Sequence, residues 1–296
     1  MFTRLFTESG LSLDRLRAFV EVGAAGSIVK AAGGDPVRQS QYSRQIKELE
    51  DFFRVTLFER HGKGIRLTPN GRELARISRF FLLGLSNFQR GSLAEEQTYR
   101  IGASATFLAT FLLPVLAAPH SIRPEVSYSI ETATDDVIER RLHDLTLDFG
   151  VVTSPALSRP LQYRELDNWR LKLWVPKALF KTRQQAARAF KEIRIPLALP
   201  MNELPPSAVA LAQGWPRYLA CNSFLEAKAA LEQKGLAAIL PDFLSPPASL
   251  NHPLSVFKPG ESVFRYRLVW NPRLLRLNPH AIRRRDFLFA SLLRKF

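Results

Sequence analysis

Three features predict a chain of mixed class, α+β in front and α/β behind. Two short helical patterns are split by Gly33-Gly34-Asp35-Pro36. A basic hairpin-like segment, Glu59-Arg60-His61-Gly62-Lys63-Gly64-Ile65-Arg66, follows them. Strand and helix patterns then alternate from Tyr99 onward. The first two read as a winged helix-turn-helix, whose second helix enters the DNA major groove. Alternation of the third kind implies a largely parallel sheet with right-handed crossovers.

Each element has a local reason. Residues 1–12 read as a frayed extension. Leu13 to about Val22 forms the first helix, with Leu13, Leu16, Phe19 and Val20 on one face, and Gly23-Ala24-Ala25-Gly26 ends it. Ser27 caps a short helix, Ile28 to Ala32. Gly33-Gly34 supplies the backbone angles of a tight turn. Asp35 then acts as an N-cap with Pro36 at the first helical position, so the third helix runs from about Pro36 to Phe52. Tyr42, Ile46, Leu49 and Phe53 make its buried stripe. Gln39, Ser40, Ser43, Arg44 and Lys47 fall on the other side and offer amide, hydroxyl and cationic groups suited to base edges and phosphates. The bland alternative is a solvated polar face. Arg60, Lys63 and Arg66 are candidate phosphate or minor-groove contacts of the wing.

Thr68 as N-cap and Pro69 as first residue open a long helix to about Gln89. Leu74, Ile77, Phe81, Leu85 and Phe88 line one face of it. With no obvious partner in its own chain, that stripe suggests pairing with a second copy. Gly91 to Thr98 reads as a polar hinge. Strands are then expected at Tyr99–Ala103, Val126–Glu131, Leu147–Val152, Trp169–Val175, Ile195–Leu199, Arg217–Cys221, Leu236–Leu240 and Val263–Trp270. Helices are expected at Phe107–Ala117 (bent or ended at Pro114), Asp135–His143, Lys181–Phe190, Phe224–Lys234 and Pro279–Leu293.

Composition bounds the partners. The formal net charge of +15 favours a polyanion. Yet residues 1–97 carry 15 Lys/Arg against 11 Asp/Glu, and residues 98–296 carry 27 against 16, so the DNA-binding part is not the more basic one. The single cysteine, Cys221, excludes an intramolecular disulfide framework and fits a reducing cytoplasm. No signal peptide is evident. Residues 101–122 carry no Asp, Glu, Lys or Arg, but Pro114, Pro119, His120 and several hydroxyls make them a strand, loop and helix rather than a membrane span.

The residues Ser27, Ala31-Ala32, Gln39, Ser43-Arg44-Gln45-Ile46, Leu49-Glu50, Leu57-Phe58-Glu59-Arg60, Leu67-Thr68 and Gly71 carry a resemblance. In that order and spacing, the segment resembles the N-terminal domain of LysR-type transcriptional regulators. It departs at Asp35, where the family usually has leucine, at Arg38, usually serine, and at Ser40-Gln41, often proline and a small residue. Farther on, Arg100-Ile101-Gly102, Leu112-Leu113-Pro114, Leu147-Asp148 and Gly235-Leu236 with Leu240-Pro241 resemble the same family's effector domain. Asp144 and Ala237 stand there where glycine is frequent. The resemblance implies a two-lobed, periplasmic-binding-protein-like α/β domain and places Lys30 near the phosphate backbone. It divides the chain into a DNA-binding head (1–67), a dimerising linker helix and hinge (68–97) and an effector domain (98–296). The two subdomains of the latter would be 98–164 with 259–296, and 165–258.

In parallel α/β folds, ligands gather at the carboxyl ends of strands near helix N-termini. Ser104 and Thr106, Thr132 and Thr134, and Thr153 and Ser154 follow the first three strands, and Asn222-Ser223 opens a helix on the facing lobe. Hydroxyls with helix amides suit a small carboxylate or similar anion. The resemblance matches Ser104, Thr134 and Thr153 to positions used for effectors. Taken singly, each of these residues is better explained by helix capping; as a set they form an effector-site hypothesis.

No phosphate loop, dinucleotide fingerprint or Gly-x-Ser-x-Gly turn is present. The five histidines lack metal-ligand spacing. Catalytic residues, a metal and a cofactor are therefore not expected. Cys221, ending a strand, reads as a buried small apolar residue rather than a redox sensor. Asp135-Asp136 reads as the acidic start of a helix. The expected function is a cytoplasmic, LysR-type, non-enzymatic regulator. It binds an interrupted inverted repeat as a dimer or tetramer, contacts RNA polymerase, and responds to an anionic effector. The alternative is a small-molecule-binding protein with a vestigial DNA head.

Overall fold

The computed structural model describes residues 10–62, 64–93, 97–192, 195–205, 208–209, 217–255 and 263–295. Its contacts resolve into two compact units. In the first, α1 (Leu13–Ala25) starts at Ser12, whose hydroxyl accepts from the Arg15 amide at 3.2 Å, and stops at left-handed Gly26. The short α2 (Ile28–Ala31) is capped by Ser27. Gly33 and Gly34 have φ of +64° and +85°, so the tight turn exists and a side chain at either position would be strained. α3 (Pro36–Phe53) begins where Asp35 Oδ1 accepts from the Val37 amide at 2.9 Å. The departure at Asp35 is therefore a working N-cap.

β1 (Phe58–His61) and β2 (Gly64–Leu67) form an antiparallel wing, and α4 (Pro69–Leu93) leaves it. The core joins Leu16, Phe19, Leu49, Leu57 and Ala75 in one cluster and Ala18, Val22, Ala32, Tyr42 and Ile46 in another. Leu13 does not belong to it. At 51% exposure it lies off the buried face, because α1 turns Ala18 and Val22 inward instead.

The second unit is organised by a nine-stranded sheet with the order β4-β3-β5-β11-β6-β9-β7-β8, and β10 pairs with β6. The strands are β3 (Gln97–Ala103), β4 (Val126–Thr132), β5 (Phe149–Val152), β6 (Gln162–Pro176), β7 (Leu197–Pro200), β8 (Arg217–Cys221), β9 (Ala237–Pro241), β10 (Asn251–Leu254) and β11 (Val263–Trp270). The expectation of a largely parallel sheet needs correction. β3, β4 and β5 are parallel to one another, as are β7, β8 and β9, but β6 and β11 run antiparallel to every neighbour. β6 also starts seven residues before the expected Trp169. Its first part pairs with β11 and its last with β9 and β10, so one strand ties both halves of the sheet.

The helix expected at 107–117 is three segments: α5 (Ala105–Phe107), a wide π turn (Leu108–Leu112) and α6 (Leu113–Leu116). Pro114 cannot donate to a carbonyl four residues back. The chain widens ahead of it, and the Leu113 amide donates five residues back to Leu108. α7 (Asp135–His143), α8 (Arg183–Lys191), α9 (Phe224–Glu232) and α11 (Pro279–Leu293) lie close to expectation, while α10 (Pro272–Leu277) and β10 were not expected. Asp148, almost fully buried, accepts from the Arg100 amide at 2.7 Å and from its guanidinium at two distances of 3.2 Å. The Arg100 and Leu147-Asp148 motifs thus hold β3 beside β5. Among the described residues no helix is long and apolar enough to cross a membrane.

Candidate nucleic-acid and ligand interfaces

On α3, burial of Tyr42, Ile46 and Leu49 turns the opposite side outward. Ser40, Ser43, Arg44 and Lys47 are exposed or partly so there, and Gln39 is half-buried. Lys30 is exposed on α2, and Arg60 and Arg66 are exposed on the wing; Lys63 lies outside the described residues. Two of these cations carry a counter-charge. Arg44 Nε donates to Glu48 at 2.9 Å, and Arg66 Nε donates to Glu59 at 2.6 Å. Glu48 also receives Arg15, and the Arg44 hydrogen bond leads the causes that hold its carboxyl below the ordinary range. In both pairs it is the Nε that meets the carboxylate, and a guanidinium carries further N–H donors on its terminal nitrogens.

The wing is fixed by hydrogen bonds within the head. Glu50 Oε1 accepts from the amides of Leu57 at 2.7 Å and Phe58 at 3.3 Å. Thr68 donates its hydroxyl to the Thr56 carbonyl at 2.7 Å, and its amide to that of Leu57 at 3.0 Å. The same hydroxyl accepts from the Gly71 amide at 3.0 Å. A Cβ at Gly71 would lie 2.1 Å from the Leu57 carbonyl oxygen. The Leu49-Glu50, Leu57-Phe58 and Leu67-Thr68-x-x-Gly71 motifs are therefore a clamp between α3, wing and α4.

Along α4, Ile77, Phe81, Leu85 and Phe88 are 51%, 49%, 44% and 79% exposed. Together they make a contiguous exposed apolar face along the helix. Leu74 departs from that group, since it packs on the head's core with Leu82.

In the second unit the carboxyl ends of β3, β4, β5 and β7 and the start of α9 converge on a cavity of about 290 Å³. Ser104, Thr134, Asp135, Asp136, Glu139, Thr153, Ser154, Asn202, Glu203, Phe224 and Tyr266 are among its lining residues. Ser104, Thr134 and Thr153 are thus brought together as expected. Thr106 is not available to a ligand: it is fully buried, and its hydroxyl donates to Glu203. Ser223 is buried and caps α9, accepting from the Glu226 amide at 3.2 Å, while Asn222 accepts from Asn202 at 3.2 Å. Neither lines the cavity.

The acidic residues are the ones that were missed. Glu203, 9% exposed, accepts from the Thr106 amide at 2.8 Å and from the Phe224 amide at 2.7 Å. It thereby holds the starts of two helical segments that are far apart in sequence. Asp135 accepts from the amides of Thr153 and Ser154 at 2.8 Å each and from the Thr153 hydroxyl at 2.9 Å. Burial nevertheless dominates and raises its pKa. Asp136 is held below the ordinary range, chiefly by the Thr134 hydroxyl. Glu139 accepts from the Ser158 amide at 2.8 Å. Among the described residues no Lys, Arg or His lines it. Arg267 is turned to the Ser154 carbonyl at 2.7 Å and to Glu165 at 3.3 Å. The described lining thus sets carboxylates beside the hydroxyls at the strand ends. The signal in the sequence was position: Asn202-Glu203 closely follow a strand, as Ser104, Thr134 and Thr153 do.

Below the cavity lies an aromatic floor. Trp169 stacks on Tyr266 at 5.3 Å, and Phe107 meets Tyr266 edge-on at 4.7 Å. Tyr266 is buried, and burial is the leading cause that keeps its phenol neutral far above its ordinary pKa. Cys221 is buried as expected, and burial first pushes its thiol up to about 11.

Comparison with known proteins adds to this geometry. Residues 13–72 match the family described as bacterial regulatory helix-turn-helix protein, lysR family, and residues 94–288 match the LysR substrate binding domain. The HTH-type transcriptional regulator HdfR of Yersinia pestis is 26% identical over 166 residues. That match spans 55% of this chain and 57% of HdfR, little more than half of either. Among solved structures, a full-length OxyR variant from Pseudomonas aeruginosa is similar with a TM-score of 0.67 at 19% identity, covering 96% of this chain and 95% of that one. Full-length CbnR complexed with its target DNA is similar with a TM-score of 0.52 at 18% identity, over 93% and 100%. At these identities the likeness is one of fold.

Proposed function

The chain belongs to the LysR family of bacterial transcriptional regulators, and on that premise we propose that it binds double-stranded DNA through paired heads and responds to a small molecule held in the cavity of its second unit. One observation carries the reading: the exposed polar and cationic side of α3 stands with the wing on a head whose other side is core. Gln39, Ser40, Ser43 and Arg44 read base edges. Lys30, Lys47, Arg60, Lys63 and Arg66 hold phosphates. CbnR, of similar fold, is seen on its target DNA.

Residues 1–67 form the head, 68–97 the linker and hinge, and 98–296 the effector domain. Pairing through Ile77, Phe81, Leu85 and Phe88 places two heads on an interrupted inverted repeat, in a dimer or tetramer. Occupation of the cavity, which Ser104, Thr134 and Thr153 line, shifts the equilibrium between head placements, provided the ligand favours one of them. DNA bending and contact with RNA polymerase change with that shift. The site of action is the cytoplasm, and the chain itself performs no catalysis.

The test is a fluorescence-anisotropy titration against DNA from upstream of the chain's own gene, at two salt concentrations. Wild type, Ser43→Ala and Arg44→Ala are compared. Selective binding that survives moderate salt and falls about tenfold in Arg44→Ala is expected. Binding equal on scrambled DNA and lost with salt reports only the +15 charge. That outcome would leave a ligand-binding protein with a vestigial head.

A further inference from the structure

The second unit supplies two independent observations about its ligand. The match to a substrate binding domain and the cavity of about 290 Å³ at the strand ends point to a small molecule. The lining says what charge that molecule carries. In most settings, amides at helix starts would receive a carboxylate. Here the amides of Thr106 and Phe224 are both taken by Glu203, a carboxylate of the chain's own, buried and hydrogen-bonded through both oxygens. The Thr153 and Ser154 amides are likewise taken by Asp135. These four backbone donors at the strand ends are thus spent on internal acids.

The lining hydroxyls are engaged within the chain as well, Thr134 donating to Asp136, Thr153 to Asp135 and Ser154 to the Ala156 carbonyl, and the carboxylates that face the cavity beyond them are Asp136, exposed, and Glu139, half-buried. Among the described residues the lining has four acidic residues and no basic one, in a chain whose net charge is +15. An anion entering here loses water and meets like charge; a cation loses water and gains counter-charge. The aromatic wall of Phe224 and Tyr266 suits the aliphatic part of such a ligand.

We infer that the effector of this chain is a small organic cation, an amine or guanidinium, whose charged end is held by Asp136 and Glu139 while Glu203 excludes anions from the helix starts. This rests on the reading of the cavity as the effector site.

The experiment uses the full chain and three five-carbon probes alike in length: 1,5-diaminopentane, glutarate and 1,5-pentanediol. Calorimetric titration and thermal unfolding are followed at matched ionic strength. The diamine is expected to bind saturably and raise the unfolding temperature; glutarate and the diol are expected to do neither. In Asp136→Asn with Glu139→Gln, the half-saturating diamine concentration rises about tenfold or more while the unfolding temperature without ligand stays put. Asn and Gln keep the side-chain oxygens that accept from Thr134 and Ser158, so the fold is retained. Absence of diamine binding overturns the inference. Glutarate binding that Thr134→Val weakens overturns the cation and keeps the cavity as effector site. Diamine binding indifferent to the double substitution overturns both.

Discussion

Replacing Gly71 by alanine sets two effects of opposite sign against each other at one position. The helical propensity of alanine favours the variant by about 1 kcal/mol. Against it stands a Cβ placed 2.1 Å from the Leu57 carbonyl oxygen and 3.0 Å from its carbon, both backbone atoms that cannot swing aside. The first turn of α4 must therefore draw back from the wing by about 1 Å or more to reach ordinary contact. That movement breaks the Thr68 amide bond to Leu57 at 3.0 Å and the Thr68 hydroxyl bond to Thr56 at 2.7 Å. Two such bonds are worth about 1 kcal/mol each, and the overpacking costs about 1–3 kcal/mol. The net loss is about 2–4 kcal/mol.

Because the chain has two units, one global transition does not report this loss cleanly. Hydrogen exchange of amides in the wing and the first turns of α4 does. Protection there should fall about thirtyfold to a thousandfold, while amides of the large sheet keep theirs. Gly235→Ala, whose Cβ meets nothing within 4 Å, is the control; it should move stability by no more than about 0.5 kcal/mol. Unchanged or stronger protection around Gly71 would refute the clamp. A wing loosened in this way should also lower DNA affinity, although Gly71 offers no side chain to DNA.

Two further outcomes follow from burial and exposure. Phe81→Glu puts a charge in the middle of the exposed face of α4, where Phe81 is 49% open. Sedimentation velocity should show the wild type as a dimer or larger and the variant as a monomer at micromolar concentration, with the far-ultraviolet spectrum unchanged; equal sedimentation would move the dimer contact elsewhere. With a thiol pKa of about 11, Cys221 stays protonated at neutral pH. Iodoacetamide under mildly alkaline conditions should label it only after unfolding in urea, and rapid labelling of the native chain would show the residue open to redox chemistry.

The head was legible because its signals are local. Asp35-Pro36 starts α3 through a bond spanning two residues, and Gly33-Gly34 turns on its own backbone freedom. Tyr42, Ile46 and Leu49 share a face by helical period alone. The closing helix Pro279–Leu293 was equally plain. Leu13 and Leu74 show the limit even there. Periodicity gives a face, and only the neighbour packed on it decides which residue at its margin is covered.

By itself the sequence determined the family, the three helices and wing of the head, and the long amphipathic α4. Tertiary structure alone decided the sense of β6 and β11, since strand direction is a property of partners distant along the chain. It alone also brought carboxylates to the strand ends. Ser104, Thr134 and Thr153 look like an anion site when read one loop at a time. Glu203 stands 97 residues from Thr106 and 21 from Phe224, yet it fills the seat between them. Hydroxyls can serve either sign of charge; which sign they serve depends on the group that folding brings to the opposite wall.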